Sequence, residues 1–546
     1  MQAIHNIPEI CCQLGVTDVI MSPGSRCAPL TIAFAQHPSI KERSIPDERS
    51  AAFIGLGLAL DQNRPVALVC TSGTALLNYS PAVAEAFYQE IPLVILSADR
   101  PPEWTDQQDG QTIHQVNAFG KHAKRSYQLP TDNEHPDSEW QICKTISDAV
   151  NLANTYPKGP VHINIPLREP FYPEAPIKYS KEIRVIKARQ GKHTLSENES
   201  KELYKEIKNY SKILIIAGQG NYSTTLANEI ESWKTPLISE VISNFPEKKY
   251  SIIAHDKFID LNVTTFQPDL LITFGLSVLS KTLKTYLRKH KAKAHWHIQE
   301  SGSTAPDTFQ SLTDVINCKL EDFFRHLRPG QTSKKWRNDW IDANKSAQKA
   351  IKTSLEIIAF CEFKALKIIT DNLPLQANLH LANSMAVRYS NYYPPKNNIV
   401  YANRGTSGID GSTSTCIGVS LNDKNQTNVL FSGDLSFFYD QNAFWNNYIG
   451  NNIRIVVFNN HGGGIFRMIE GPAKQQELEA NFVVEQKLNA KLSAEQYGLN
   501  YFSADSEESL LEALPCFFKH SKKSAILEVE TDGIKNTELF RLFKEF

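Results

Sequence analysis

The sequence predicts an α/β protein made of three doubly wound parallel-sheet domains, and three observations carry that expectation. Short β-branched runs repeatedly end in Gly, Ser or Pro turns that lead into helical stretches, the layout of parallel strands joined by crossover helices. The 546 residues, 41% of them apolar, exceed what one core organises and suggest about three. Polar segments without such runs interrupt the pattern twice, at 168–199 and 333–369. The expected domains are 1–180, 181–340 and 341–546.

In the first unit, Val19-Ile20-Met21 precedes Ser22-Pro-Gly-Ser-Arg26, Pro65 to Cys70 precedes Thr71-Ser-Gly-Thr74, and Pro92 to Leu96 precedes Ala98-Asp-Arg-Pro-Pro. Pro160 to Pro166 closes it. Between the first two strands, Asp47-Glu48-Arg49 opens an Ala/Gly-rich helix, Ala51 to Ala59, suited to close packing against a cofactor or another subunit. The middle unit runs through Lys212 to Ala217, Asp269 to Phe274 and Ala294 to Ile298. Its Gly218-Gln-Gly220 lacks the third glycine of a dinucleotide fingerprint and reads as a strand-to-helix turn. The basic run Lys281 to Lys293 reads as a solvated helix face. Strands of the third unit are expected at Ile399 to Ala402, Val429 to Ser432, Ile453 to Phe458 and Ala525 to Val529.

Composition excludes several classes of function. Fifty-eight Lys and Arg nearly cancel 59 Asp and Glu, so no global field attracts nucleic acid or an anionic membrane. No run approaches the ~20 apolar residues that span a bilayer, and the amino terminus lacks a signal-peptide pattern, so a cytoplasmic protein is expected. Nine scattered cysteines without a Cys-x-x-Cys pair argue against a disulfide framework or structural zinc and read as reduced thiols.

The third unit carries the most specific pattern. Gly433-Asp434-Leu435-Ser436 follows one strand, and Asn459-Asn460-His461-Gly462-Gly463-Gly464-Ile465-Phe466 follows the next, with Asn460 26 residues after Asp434. Loops at the carboxyl ends of parallel strands are where open α/β sheets bind ligands. Asp434, Asn460 and Gly462 can offer a carboxylate, an amide oxygen and a bare carbonyl to one small hard cation, which would complete its shell with phosphate oxygens and water. The competing reading is two ordinary turns, which these residue types also favour.

The pattern resembles the signature of the thiamine diphosphate-dependent enzymes, Gly-Asp followed after some twenty-five to thirty residues by Asn-Asn, with Leu435 where the family often has Gly. That resemblance implies thiamine diphosphate with Mg2+, or Mn2+, as cofactors. It makes the first domain pyrimidine-binding, with Glu48 as the activating carboxylate, and the third the diphosphate- and magnesium-binding domain. By itself Asp-Glu-Arg is a charge cluster fitting a helix start. Ile409, in Arg404-Gly-Thr-Ser-Gly-Ile-Asp410, matches the bulky residue that props the bent cofactor, and Thr74, Gly408, Gly433, Leu435, Ser436, Gly463 and Ile465 join the cofactor-binding set. In the family two subunits share each site, implying a homodimer or dimer of dimers.

Across the first and third units the motifs most resemble the branch of the family that acts in menaquinone biosynthesis. That implies decarboxylation of 2-oxoglutarate and Stetter-like conjugate addition of the resulting succinyl carbanion to isochorismate. Both substrates are dianions, which arginine pairs bidentately. The resemblance places Ser25, Arg26, Arg100, Lys281, Ser384, Arg388, Arg404 and Phe466 at the substrates, with Glu48, Gln111, Ser384 and Arg388 as catalytic candidates. Any one of these cations could instead form a surface ion pair of little worth. Where the family often has Lys-Arg, this chain has Lys281-Thr282. His114 reads as a hydrogen-bonded structural or supporting histidine, since 2-oxoacid decarboxylases use a His pair. The alternatives are another 2-oxoacid decarboxylase, an acetolactate-type carboligase, or a binding homologue without turnover.

Overall fold

A computed structural model of the chain describes residues 1–546 except 181, 190, 192, 301, 303, 331 and 546, so the expected domain limits at 181 and 546 fall outside the described residues. Three six-stranded sheets form, and every strand pair in them is parallel. The first contains β1 (Asp18–Met21), β2 (Lys41–Ser44), β3 (Val66–Cys70), β4 (Leu93–Asp99), β5 (Ser126–Gln128) and β6 (Val161–Pro166), in the order β2-β1-β3-β4-β6-β5. The second contains β7 (Ile213–Ala217), β8 (Leu237–Ser239), β9 (Ser251–Ile252), β10 (Leu270–Phe274), β11 (Ala294–Gln299) and β12 (Asp314–Asn317), ordered β12-β11-β10-β7-β8-β9. The third contains β13 (Asn378–Leu381), β14 (Val400–Tyr401), β15 (Asn428–Gly433), β16 (Ile453–Asn459), β17 (Asn500–Ala504) and β18 (Ala525–Glu530), ordered β14-β13-β15-β16-β18-β17.

Helices cover both faces of such sheets, so central strands bury every side chain and read as unbroken apolar runs; β3 and β16 are buried along their whole length. The first and third sheets share one topology. In each, the strand order reverses between the first and third strands, which opens a ligand crevice at their carboxyl ends. In the third sheet that crevice lies between β13 and β15, whose register pairs Leu381 with Phe431. Ala382 to Ser384 therefore leave the sheet beside Ser432 and Gly433, the last residues of β15, which lead into Asp434.

The Ala/Gly-rich helix, Glu48–Gln62, packs against the helix Ser412–Ser420 of the same chain's third unit. Two glycines set the distance. A Cβ on Gly57 would lie 2.2 Å from the Thr415 carbonyl oxygen, and one on Gly418 would lie 2.2 Å from that of Ile54. Ala51 to Ala59 and Cys416, Ile417 and Phe437 accordingly share one continuous core. Gly418→Val is expected to lower stability by about 3 kcal/mol or more, because neither neighbour is a side chain that can swing aside. Chemical denaturation checks this, with Gly471→Ala, where a Cβ meets nothing within 4 Å, as the variant expected to unfold like the native chain.

The long helix Lys334–Ile357 straddles the expected limit at 340. Trp336 and Trp340 pack into a core of the middle unit, whereas Ala347, Ile351 and Leu355 pack into that of the third. The turn at Gly218-Gln-Gly220 follows β7 as expected, and Gln219 Nε2 donates to Gln89 Oε1 and to the Ala402 carbonyl, both at 2.9 Å. One side chain thus ties all three units together. All nine cysteines are free, and no helix among the described residues is long and apolar enough to cross a membrane.

Candidate cofactor and substrate site

β15 and β16 run in register from Asn428 opposite Ile453 to Gly433 opposite Phe458. Asp434 and the pair Asn459-Asn460 therefore emerge from neighbouring strands. Asp434 is 2% exposed. Its Oδ1 accepts from the Leu435 N–H at 2.8 Å and its Oδ2 from Gln486 Nε2 at 2.8 Å. Gln486 Nε2 also donates to Asn459 Oδ1 at 3.0 Å, and its own N–H donates to the His461 carbonyl at 3.1 Å. A strap of residues around Val483 to Leu488 thereby crosses the cradle, with the Gly463 N–H donating to the Val483 carbonyl at 2.7 Å. Gly462 allows that approach, since a Cβ there would lie 2.8 Å from the same carbonyl oxygen.

The residues fit a cation. Burial raises the Asp434 carboxyl above its ordinary range, partly offset by Gln486 and by the Leu435 and Gly462 N–H groups. Glu362, also 2% exposed, is pushed up to about 8 by burial, with Asn460 opposing and the Asp434 charge adding. Asn460 Oδ1 is buried with no partner among the described residues. Two buried acids and an orphaned amide oxygen form a set that a divalent ion satisfies, since buried charges are otherwise paired or neutralised. No cluster of three or more His, Cys, Asp or Glu side chains among the described residues could hold a metal. A cation here would depend on amide and carbonyl oxygens and on oxygens of a bound ligand, a set suited to a hard ion such as magnesium.

The cofactor-side residues gather around this cradle. Ser436 Oγ donates to the Ile409 carbonyl at 2.7 Å, and Asn383 Nδ2 donates to the Gly408 carbonyl at 2.7 Å. Ile409 itself is 41% exposed. Ser384 begins the helix Met385–Tyr392 at φ 72°, and its carbonyl accepts from Arg388 at 2.6 Å. Arg404 donates from NH1 to Asn383 Oδ1 at 2.6 Å. Burial and then the charge of Arg388 lower the Arg404 guanidinium, and both residues follow strands at the third sheet's crevice. Buried Glu85 fixes the loop that carries Arg404 by accepting from the Gly405 and Thr406 N–H groups at 2.7 and 2.6 Å.

At the first sheet's crevice, Arg26 donates to the Leu167 carbonyl at 3.0 Å and lies over Phe171 at 4.6 Å. Burial and then Arg100 lower its guanidinium, and Arg100 pairs with Asp109 at 2.8 Å. Ser25, Thr74 and Gln111 are exposed, and Gln111, at φ 56°, lies against Gly73, whose Cβ would come 3.2 Å from Gln111 Cα. His114 is exposed and bonds Asp106 at 3.1 Å. Lys281 is exposed at the start of the helix Lys281–Lys289. One turn later Lys284 is half-buried and feels the charges of Arg404 and Arg388. Phe466 stands beside Phe482, ring centroids 5.7 Å apart.

Glu48 is half-buried, and its carboxylate forms no hydrogen bond or ion pair among the described residues. Its neighbours reach the far end of the helix Asp434–Tyr439: Arg49 donates to the Tyr439 carbonyl at 2.8 Å, and Asn442 Nδ2 donates to Asp47 Oδ2 at 2.8 Å. Sequence reasoning passed over Glu362, Gln486, Glu85, Asn383 and Lys284. An acid at a helix start, as at Glu362, reads as dipole chemistry until burial is known.

This fold and site define a class. Residues 1–118 match the Thiamine pyrophosphate enzyme, N-terminal TPP binding domain, 193–381 the Middle domain of thiamine pyrophosphate, and 382–529 the Thiamine pyrophosphate enzyme, C-terminal TPP binding domain. The chain belongs to the thiamine pyrophosphate enzymes. Over 100% of its length it is 46% identical to 99% of the 2-succinyl-5-enolpyruvyl-6-hydroxy-3-cyclohexene-1-carboxylate synthase of Cytophaga hutchinsonii. The enzyme of that name from Flavobacterium psychrophilum is 41% identical, covering 99% of this chain and 98% of its own, and that of Porphyromonas gingivalis 37%, covering 97% and 94%. Within its class the chain belongs to this synthase family. The crystal structure of benzoylformate decarboxylase from Polynucleobacter necessarius superposes with a TM-score of 0.73 over 98% of this chain and 99% of its own, at 16% identity, a likeness of fold.

Proposed function

We propose that the protein decarboxylates 2-oxoglutarate and joins the resulting four-carbon unit to isochorismate, giving 2-succinyl-5-enolpyruvyl-6-hydroxy-3-cyclohexene-1-carboxylate and carbon dioxide in menaquinone biosynthesis. The observation that carries this reading is the role of Asn383, which accepts from Arg404 at 2.6 Å and donates to the Gly408 carbonyl at 2.7 Å. One amide couples a carboxylate-binding cation to the cofactor cradle.

Bound thiamine diphosphate supplies the nucleophilic carbon and electron sink that allow a 2-oxo acid to lose carbon dioxide. Asp434, Asn460 and Gly462 would hold Mg2+ or Mn2+ against the diphosphate, and Glu48 would face the aminopyrimidine. Arg388 and Arg404 bind and orient carboxylates, and their mutual proximity gives them a reason to receive a dianion. Arg26 and Arg100 form a second cationic pair, suited to the other dianionic substrate. Ile465 and Phe466 offer an apolar wall that excludes water.

By the family resemblance the site is read as shared by two protomers of a homodimer or dimer of dimers. A cytoplasmic location accords with nine free cysteines. Mixing purified protein, thiamine diphosphate, Mg2+, 2-oxoglutarate and isochorismate, with each omitted in turn, tests the function. Carbon dioxide release is expected to require both organic acids; sustained release from 2-oxoglutarate alone would assign a simple decarboxylase instead.

A further inference from the structure

An amide that ligates a hard cation must present its oxygen, because its NH2 end has only donors to offer. At Asn460 a single contact decides which end faces the site. Its Nδ2 donates to Oε2 of Glu362 at 3.2 Å. Glu362 is fixed in turn at the start of the helix Glu362–Asp371: its N–H donates to Asn536 Oδ1 at 3.0 Å, and Asn536 Nδ2 approaches the same Oε2 at 3.4 Å. With Nδ2 committed to Glu362, Oδ1 points away from it and stays buried without a partner among the described residues.

We propose that Glu362 is the positioning residue of the cation site: its buried carboxyl group accepts from Asn460 and so aims that amide's oxygen at the metal held with Asp434 and Gly462. The inference rests on reading Asp434, Asn460 and Gly462 as the cation's ligands. Glu362 acts through Asn460, since groups behind a ligand fix its orientation and their loss typically weakens metal binding 10- to 100-fold. A purely structural Glu362, tying its helix to Asn536, would leave metal affinity untouched.

The contact has a direction, which makes it testable by exchange. Asn460→Asp adds charge toward the cation yet removes the donated hydrogen bond and sets one carboxylate against another. Glu362→Gln keeps an accepting oxygen for Asn460, and in the double variant its NH2 group can donate to the new aspartate. Binding of Mn2+ to the full chain with thiamine diphosphate, followed by the electron paramagnetic resonance signal of the free ion, reads the outcome without turnover. Glu362→Met is expected to bind Mn2+ about 10- to 100-fold more weakly, and Glu362→Gln close to the native affinity. Asn460→Asp should weaken binding by about tenfold or more, and Glu362→Gln with Asn460→Asp should regain most of that loss, a coupling expected only of residues in contact.

Native Mn2+ affinity in Glu362→Met or Asn460→Asp, or purely additive effects in the double variant, would overturn the proposal. Should Glu362→Met not fold, the near-isosteric pair decides alone. Asp434→Ala separates this failure from that of the cradle itself: unchanged binding there sinks the ligand assignment, whereas lost binding there with no effect at Glu362 removes only the positioning role.

Discussion

Glu48→Gln is expected to leave the chain folded while lowering turnover by about 10²- to 10⁴-fold, the range a positioned acid or base contributes. The two halves of that expectation rest on different observations. The helix start does not need Glu48, because Asp47 caps it by accepting from the Arg49 and Ser50 N–H groups. Its carboxylate forms no ion pair among the described residues, so an isosteric amide breaks no internal contact. Facing an aminopyrimidine, however, a carboxylate favours the protonated ring through a charge-assisted hydrogen bond, which a neutral amide supports far less. Carbon dioxide release with both substrates measures the first quantity and thermal melting the second. Turnover within about threefold of native, with an unchanged melt, would end the assignment of Glu48 as a catalytic group.

What the sequence makes legible in this fold follows burial. Central strands such as β3, β4, β7, β15 and β16 are buried on both faces and announce themselves as apolar runs, and their turns carry the cradle. β2, reading Lys-Glu-Arg-Ser with three of four residues exposed, and β17 at the opposite edge of its sheet have no such run. Edge strands are set by pairing with a neighbour, which local sequence does not encode. β13 is illegible for another reason: Asn378 and His380 interrupt its pattern, and both are buried because they bond to Asn428 at 3.2 and 3.1 Å. The Ala/Gly-rich helix was legible as a close-packing surface, but not its partner, which is a helix about 360 residues further along the chain. Asp434 and Asn460 stand out because a carboxylate and an amide oxygen, 26 residues apart, each follow a β-branched run. Glu362 and Gln486 do not, since each becomes informative only through an oxygen or amide brought from a remote segment.

Asp434→Ala is expected to uncouple stability from cofactor binding. Without a cation, Asp434 is a liability to the fold. Burial raises its carboxyl, so folding disfavours the ionised form, and stability is lost as the pH rises from the unfolded carboxylate range through the folded value. Alanine removes that loss, and Gln486 keeps its hydrogen bond to Asn459 Oδ1 at 3.0 Å. The variant alone is therefore expected to melt at or above the native temperature. With thiamine diphosphate and Mg2+ the order reverses. Truncating one partner of a buried charge pair costs about 3 kcal/mol or more, over a hundredfold in affinity, and the ion and the diphosphate lose it together because each completes the other's shell. Calorimetric titration of both ligands, and the melting shift they induce, give the two readouts from one preparation. A variant that binds thiamine diphosphate with native affinity would place the diphosphate elsewhere. A variant that melts well below the native chain before any ligand is added would mean that Asp434 serves the fold rather than the ion.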